Sequence, residues 1–273
     1  MFALKLAIWP GLRTRAVFAA LLSLLLLASC ATAPETGRRQ LILMNPAEET
    51  QMGIQAFSQL KQEKPYITTG KDAEMVRRVG RRIAKVAPVE NAQWEFVLFK
   101  DDTPNAFALP GGKVGVNTGI LKITKNEAGL ATVIGHEVGH VVAHHGAERA
   151  SQTLGLQVLG AIADVALAQS APGARAGVMQ AYGLGAQVGV LLPYSRVHEL
   201  EADQLGLLYM ARAGYDPQEA IAFWQRFADY NRKEGGGKPP EFLSTHPLDQ
   251  RRIEQLKTML PRAEAEYARA SKG

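Results

Sequence analysis

Apolar positions change their period several times along the chain, and each change marks a boundary between elements. From Pro46 to about Lys64, Met52, Ile54, Phe57 and Leu60 form the apolar set of a helix that opens on a proline. A second helix is predicted over 72–87, opened by Asp72 and ended before Pro88. Trp94-Glu95-Phe96-Val97-Leu98-Phe99 is aromatic, branched and bounded by polar residues, which predicts a strand. Residues 105–121, NAFALPGGKVGVNTGIL, read as two short strands about a Pro110-Gly111-Gly112 turn.

Thr124-Lys125-Asn126-Glu127 has capping-box spacing, so a helix is predicted from about 125 to 147, with Leu130, Ile134, Val138 and Val141 on its apolar face. Residues 153–192 are rich in Gly, Ala, Leu and Val and carry only Asp164 and Arg175 as charges; Ala171-Pro172-Gly173 splits them into two apolar arms. Helices are expected at about 195–213 and 217–232, then a Gly/Pro-rich loop at 233–247 and a final helix from about 248. The pattern contains no repeat and no long internal linker. It describes one α+β domain over 46–273, mainly α-helical, with a small β-sheet beside the helix of residues 125–147.

The first residues follow a different rule. Lys5, Arg13 and Arg15 precede an apolar run from Ala16 to Leu27, which is closed by Ala28-Ser29-Cys30. That is the layout of a secretory signal over residues 1–29. The twelve-residue apolar run is short against the roughly 20 residues of a membrane-spanning helix. Cys30 is the only cysteine, so no internal disulfide can form. Leu27-Ala28-Ser29-Cys30 resembles a bacterial lipobox, which implies a lipid on Cys30 at the mature N-terminus and a membrane anchor. An ordinary signal peptide cleaved nearby is the alternative. Ala31, in place of an acidic retention residue, favours the periplasmic face of the outer membrane, and residues 30–45 read as a tether. Without residues 1–29 the formal charge falls from +5 to +2, because three lysines and arginines are removed and no acids. No basic cluster stands out, so nucleic acid is not an expected partner.

The chemistry lies in His136-Glu137-Val138-Gly139-His140. Residues four apart on a helix share a face, so His136 and His140 can hold one ion. Glu137, about 100° round the helix from His136, can reach a water on that ion. This is the arrangement by which two imidazoles bind Zn²⁺ and a carboxylate acts as general base. A helix with two hydrogen-bonded histidines and no metal is the alternative, so a third ligand decides. His144 is carried away from the ion by helical drift, and His144 and His145 read as a polar helix end. Ser195-Arg196-Val197-His198-Glu199-Leu200-Glu201-Ala202-Asp203 is the better source. Glu199 and Glu201 lie about 200° apart on a helix, so only one can face the metal. Glu199 has Asp203 four residues on, placed to accept the free N–H of a ligating histidine. Glu201 then reads as solvated or structural.

Together, HEVGH, Ser-Arg-x-x-Glu-x-x-Ala-Asp, Asn-Ala-Phe-Ala-x-Pro-Gly-Gly and Thr-His-Pro resemble the M48 metallopeptidases, nearest to the short bacterial, Oma1-like quality-control branch. The resemblance runs from about residue 46 to 258 and implies a gluzincin-like metalloprotease domain. It implies one zinc on His136, His140 and Glu199, with Glu137 as base and Asp203 behind the ligands. In related periplasmic members the histidine matching His246 can fill the open zinc position and hold the enzyme latent. His246 could instead donate to the oxyanion, or only precede the last helix. Asn105 to Val116, with Gly111 and Gly112, suits an edge strand that binds extended peptides, or a plain hairpin. The expected function is a zinc endopeptidase for misfolded or misassembled cell-envelope proteins. The alternatives are a chaperone or assembly factor working with the outer-membrane assembly machinery, and a structural lipoprotein. The apolar arms at 153–192 read as a core hairpin, a lid or a partner-facing surface.

Overall fold

The computed structural model describes residues 30–187, 191–234, 241–247 and 250–272. The signal-like segment lies outside them, as do parts of the 233–247 loop. Two strands, β1 (Cys30–Thr32) and β2 (Arg39–Leu41), form an antiparallel hairpin that precedes helix α1 (Pro46–Glu63). Strand β3 (Tyr66–Ile67) and helix α2 (Lys71–Ala84) follow, then strands β4 (Glu95–Phe99), β5 (Ala106–Leu109) and β6 (Lys113–Asn117). The second sheet has the order β3-β4-β6-β5, with β4 parallel to β6 and β5 on the edge. Alternation along β4 divides its side chains between two layers. Val97 and Phe99 pack with Phe57 of α1, while Phe96 and Leu98 join Val76, Val79 and Ile83 of α2.

A turn of helix, α3 (Leu121–Thr124), leads into α4 (Glu127–Val142). The expected capping box does not form. Lys125 has φ 62°, which ends α3, and Asn126, in extended conformation, caps α4 by accepting from the Gly129 N–H at 2.8 Å. The Thr124 hydroxyl turns back to the Leu121 carbonyl. Asn126 and Thr124 compete for one helix start, and asparagine is among the strongest N-caps. The helix also ends earlier than its periodicity suggests. His144, left-handed at φ 51°, breaks it and redirects the chain into α5 (His145–Ser170).

Helices α5 and α6 (Arg175–Ala186) form the apolar hairpin. It is not core: Leu159, Ile162 and Val165 are 56%, 60% and 60% exposed. By length and composition α5 is long and apolar enough to cross a membrane. Helices α7 (Leu192–Arg212), α8 (Gln218–Glu234), the short α9 (Glu241–Thr245) and α10 (Gln250–Ala270) complete the chain. Helix α9 occupies part of the stretch expected to be loop. Leu205, Leu208 and Tyr209 of α7, Phe223, Trp224 and Phe227 of α8, and Phe242 of α9 extend the core behind α4.

The tether is the other departure. Residues 30–41 are not a free spacer: Gln40 is buried and donates to the Ala143 carbonyl, and the Leu43 N–H bonds the Ser151 hydroxyl at 2.9 Å. Glu35 pairs with Arg212 at 2.9 Å. Three-residue strands have too few positions to display a period, so this docking had no sequence signal.

Candidate metal centre

Helix α4 is buried along almost its whole length, which fixes the direction of every side chain on it. Glycines on both helices, Gly135, Gly139 and Gly206, let it meet α7 backbone to backbone. A Cβ on Gly139 would lie 2.9 Å from the Ala202 carbonyl oxygen, and one on Gly206 would lie 2.6 Å from the His136 nitrogen. Only glycine leaves room for that approach. It brings Glu199, seven residues into the range of α7, against the two histidines of α4.

The imidazoles of His136 and His140 stand edge to face with their Nε2 atoms 3.2 Å apart. Glu199 Oε2 is 3.3 Å from His136 Nε2, and Oε1 is 3.3 Å from His140 Nε2. His246, just beyond α9, adds Nδ1, which is 3.3 Å from His136 Nε2 and 3.0 Å from Glu199 Oε1. One ligand atom from each of these four residues lies within 4.8 Å of the others. A regular tetrahedron of ligands at about 2.0 Å from a central ion has edges of about 3.3 Å. Five of the separations in the cluster, with both Glu199 oxygens taking part, are 3.0–3.3 Å, close to that figure. Three imidazole nitrogens and a carboxylate oxygen are also a donor set suited to a divalent transition ion. The residues therefore fit a single metal.

Each donor is steered from behind. The Nδ1 of His136 lies 2.9 Å from Asp203 Oδ1. Asp203 is gripped in turn by Arg252, whose Nε and second terminal nitrogen donate at 2.6 and 2.7 Å. The same guanidinium reaches Glu199 Oε2 at 3.1 Å, donates to the His246 and Pro247 carbonyls, and stacks on Trp224 at 4.2 Å. Arg252 thus ties two acids and the His246 loop into one unit. It was not foreseen, because it contacts α7 across 49 residues and belongs to no local motif.

Electrostatics separates the acids. Burial opposes ionisation of Glu199, yet its contacts with His136, His140 and His246 hold its carboxyl well below the usual carboxylate range. Asp203 is likewise lowered, burial being outweighed by Arg252 and His136. Glu137 differs: burial dominates and raises it. Its Oε1 lies 3.3 Å from His246 Nε2, and it also receives the backbone N–H of Ala108 on edge strand β5. Burial pushes His140 well below the ordinary imidazole value, whereas at His136 burial is outweighed by Asp203 and Glu199, which raise it to about 9.

Of the residues singled out in the sequence, His136, Glu137, His140, Glu199, Asp203 and His246 are therefore together. Asn105 starts the β5–β6 hairpin, its side chain accepting from the Ala106 N–H at 2.9 Å. Gly111 and Gly112, at φ 83° and 80°, make the turn, and a Cβ on either would meet Ile54 or Ala92 and Trp94. Cys30 is the first described residue, paired through its backbone with Leu41. His144 pairs with Glu49 at 2.9 Å, outside the cluster. His145 is buried with its Nδ1 2.8 Å from His140 Nδ1. Glu201 is not solvated: it is 6% exposed and bonds His145 Nε2 at 2.9 Å.

Comparison with known proteins agrees with this geometry. A model of peptidase family M48 matches residues 70–260. The mitochondrial metalloendopeptidase OMA1 of Schizosaccharomyces pombe is 40% identical over 190 residues, covering 69% of this chain and 53% of that protein. The beta-barrel assembly-enhancing protease of Escherichia coli is 30% identical over 228 residues, 82% of this chain and 46% of that protein. The OMA1 metalloendopeptidase of Arabidopsis thaliana is 39% identical over 173 residues, 63% of this chain and 33% of that protein. This chain spans about half the length of the first two. The matched region holds the helix of the HEVGH motif, Glu199 and its supporting Arg252, and the chain belongs to peptidase family M48.

Proposed function

We propose that this chain is a zinc endopeptidase of the cell envelope that cleaves misfolded or misassembled proteins, and that it rests in a latched form. The observation that carries the reading is the four-donor cluster of His136, His140, Glu199 and His246, one ligand atom from each lying within 4.8 Å of the others. In this reading the first three are permanent ligands, and His246 takes the position that a substrate water needs. When bound, zinc supplies the Lewis acidity that activates a water and polarises a peptide carbonyl. Glu137, raised by burial, takes the water's proton and returns it to the leaving amine. Asp203 keeps His136 in the tautomer whose Nε2 faces the ion. Strand β5 offers an unpaired sheet edge beside Glu137, suited to an extended peptide held by main-chain bonds and tolerant of sequence.

Support for the substrate class comes from the relatives, one a beta-barrel assembly-enhancing protease. Support for the location comes from the Leu27-Ala28-Ser29-Cys30 pattern, which calls for a lipid on Cys30, and from Ala31 after it, which favours the outer membrane's periplasmic face. Mass spectrometry of the mature N-terminus tests that part.

The decisive experiment measures zinc content and cleavage of an unfolded protein such as casein for the full chain, Glu137→Gln and His246→Ala. Glu137→Gln is expected to keep zinc and lose about 10²–10⁴-fold in turnover. His246→Ala is expected to cleave faster; loss of turnover with zinc retained would make His246 an oxyanion donor instead. A second reading is suggested by the same relative's name: an assembly factor for outer-membrane proteins, with proteolysis secondary. It prevails if the wild type shows no chelator-sensitive cleavage while Glu137→Gln still complements a deletion.

A further inference from the structure

The two α4 histidines are not held alike. His136 Nδ1 meets Asp203 directly, and Arg252 grips Asp203. Among the described residues His140 Nδ1 meets no acid; it lies 2.8 Å from the Nδ1 of His145. Two ring nitrogens in hydrogen-bond contact need one proton between them. If the Nε2 of His140 faces a metal it carries no proton, so the proton sits on its Nδ1 and is donated to His145. His145 is thereby left with its proton on Nε2, which lies 2.9 Å from Glu201 Oε2. The ring of His145 is also stacked on that of His198, centroids 4.2 Å apart at 16°, and His198 Nε2 lies 2.9 Å from Glu148 Oε2.

Both acids that fix this pair of imidazoles meet in one cation. Arg38 donates from Nε to Glu201 at 2.6 Å and from its two terminal nitrogens to Glu148 at 2.9 and 2.6 Å. The Thr36 hydroxyl donates to the other oxygen of Glu201. Glu148 and Glu201 are 1% and 6% exposed, so two buried carboxylates share one guanidinium. Removing that charge leaves them facing each other uncompensated, a strongly unfavourable state. They must then move apart, and an acid that moves no longer holds its imidazole partner in place.

We propose that Arg38, acting through Glu201 and His145, is a positioning residue for His140, and so makes docking of the N-terminal hairpin a condition for a fully formed metal centre. The inference rests on the metal-centre reading above. It gives His140 a support equivalent to the one Arg252 gives His136, but drawn from a segment 163 residues away from Glu201.

The test uses the full zinc-loaded chain and the variants Arg38→Met, Glu201→Gln, Glu35→Gln and His140→Ala. Zinc affinity is read by chelator competition, ligand geometry by the visible spectrum of the cobalt-substituted chain, and folding by circular dichroism and melting temperature. Glu35→Gln loosens the same hairpin at Arg212 without touching the relay. Arg38→Met and the isosteric Glu201→Gln are expected to weaken zinc about 10- to 100-fold and to alter the cobalt spectrum. Glu35→Gln should lower the melting temperature only. If both relay variants lower the melting temperature as Glu35→Gln does, with zinc affinity and spectrum unchanged, the network is a staple and the proposal falls. If Arg38→Met fails to fold, Glu201→Gln decides alone. If His140→Ala binds zinc as tightly as the parent, the metal-centre reading itself fails, and the two failures are thereby told apart.

Discussion

Two arginine–aspartate pairs in this molecule have nearly the same geometry and opposite surroundings. Arg252 grips Asp203 through two bonds of 2.6 and 2.7 Å, and Arg175 grips Asp164 through two bonds of 2.6 Å. The first pair is 2% and 1% exposed; the second, at the turn of the α5–α6 hairpin, is 48% and 35% exposed. Distance alone would rank them as equals. Burial does not, because water screens the hairpin pair and would re-solvate either partner left alone, whereas nothing replaces Arg252 behind the metal centre. The same contrast extends to the elements that carry the pairs. Helix α4 and the hairpin are both rich in Gly, Ala, Leu and Val, yet one is the centre of the core and the other shows its apolar side chains to solvent.

Breaking each pair gives the largest predicted difference. Arg252→Met should cost about 3–5 kcal/mol in urea denaturation, because Asp203 and Glu199 are left buried without their cation. It should also loosen His246, whose carbonyl the guanidinium holds. Arg175→Met should leave the denaturation midpoint unchanged. Equal losses from the two variants would mean that the hairpin is buried in solution, which would overturn the comparison.

Acid should discriminate next. Burial raises Glu148 and Glu201, but His198 and Arg38 for the first, and His145, Thr36 and Arg38 for the second, bring both down to about 2 from an ordinary 4.5. Their stabilisation is complete above the ordinary value and is lost as pH falls from 4.5 toward 2. Burial lowers His145 from 6.5 to about 4 despite Glu201. Between those values the unfolded chain takes up a proton that the folded one refuses, so stability again falls with pH. All three groups act in one direction. The melting temperature should therefore decline from about pH 6.5 downward, and Arg38→Met should flatten the part below 4.5. An unchanged slope in that variant would mean that the acids are not held by Arg38.

The comparison also separates what was legible in the sequence from what was not. His136, Glu137, His140, Glu199 and Asp203 could be placed because each lies one to four residues from another member on the same helix, a spacing that alone aligns side chains. The longer helices and strands β4 to β6 were readable for the same reason, including both arms of the hairpin, whereas β1 to β3 and the short α9 were not. Arg252, Arg38 and the burial of Glu201 depend on contacts spanning 49 to 163 residues, and no local period reports those; His145 lies five residues from His140, but beyond the helix break at His144. Thr124 was mistaken for the cap because two good capping residues stand two positions apart, and only backbone conformation chooses between them. Burial of the hairpin was undecidable for a similar reason: composition describes a helix surface but not its neighbour.

One substitution should have opposite signs in the two regions, and it is the smallest effect expected. Gly206→Ala puts a methyl 2.6 Å from the His136 nitrogen, against backbone that cannot yield without separating α4 from α7. A destabilisation of about 1–3 kcal/mol is expected, together with weaker zinc, since Glu199 moves with α7. Gly155→Ala, on α5, meets nothing within 4 Å. There the added methyl only reduces the freedom of the unfolded chain and improves helix propensity, so about 0.4–1 kcal/mol of stabilisation is expected with zinc affinity untouched. Denaturation of both variants with zinc titration checks the pair. Destabilisation by Gly155→Ala would reveal a neighbour packed on α5 and would remove the hairpin from the exposed side of the comparison.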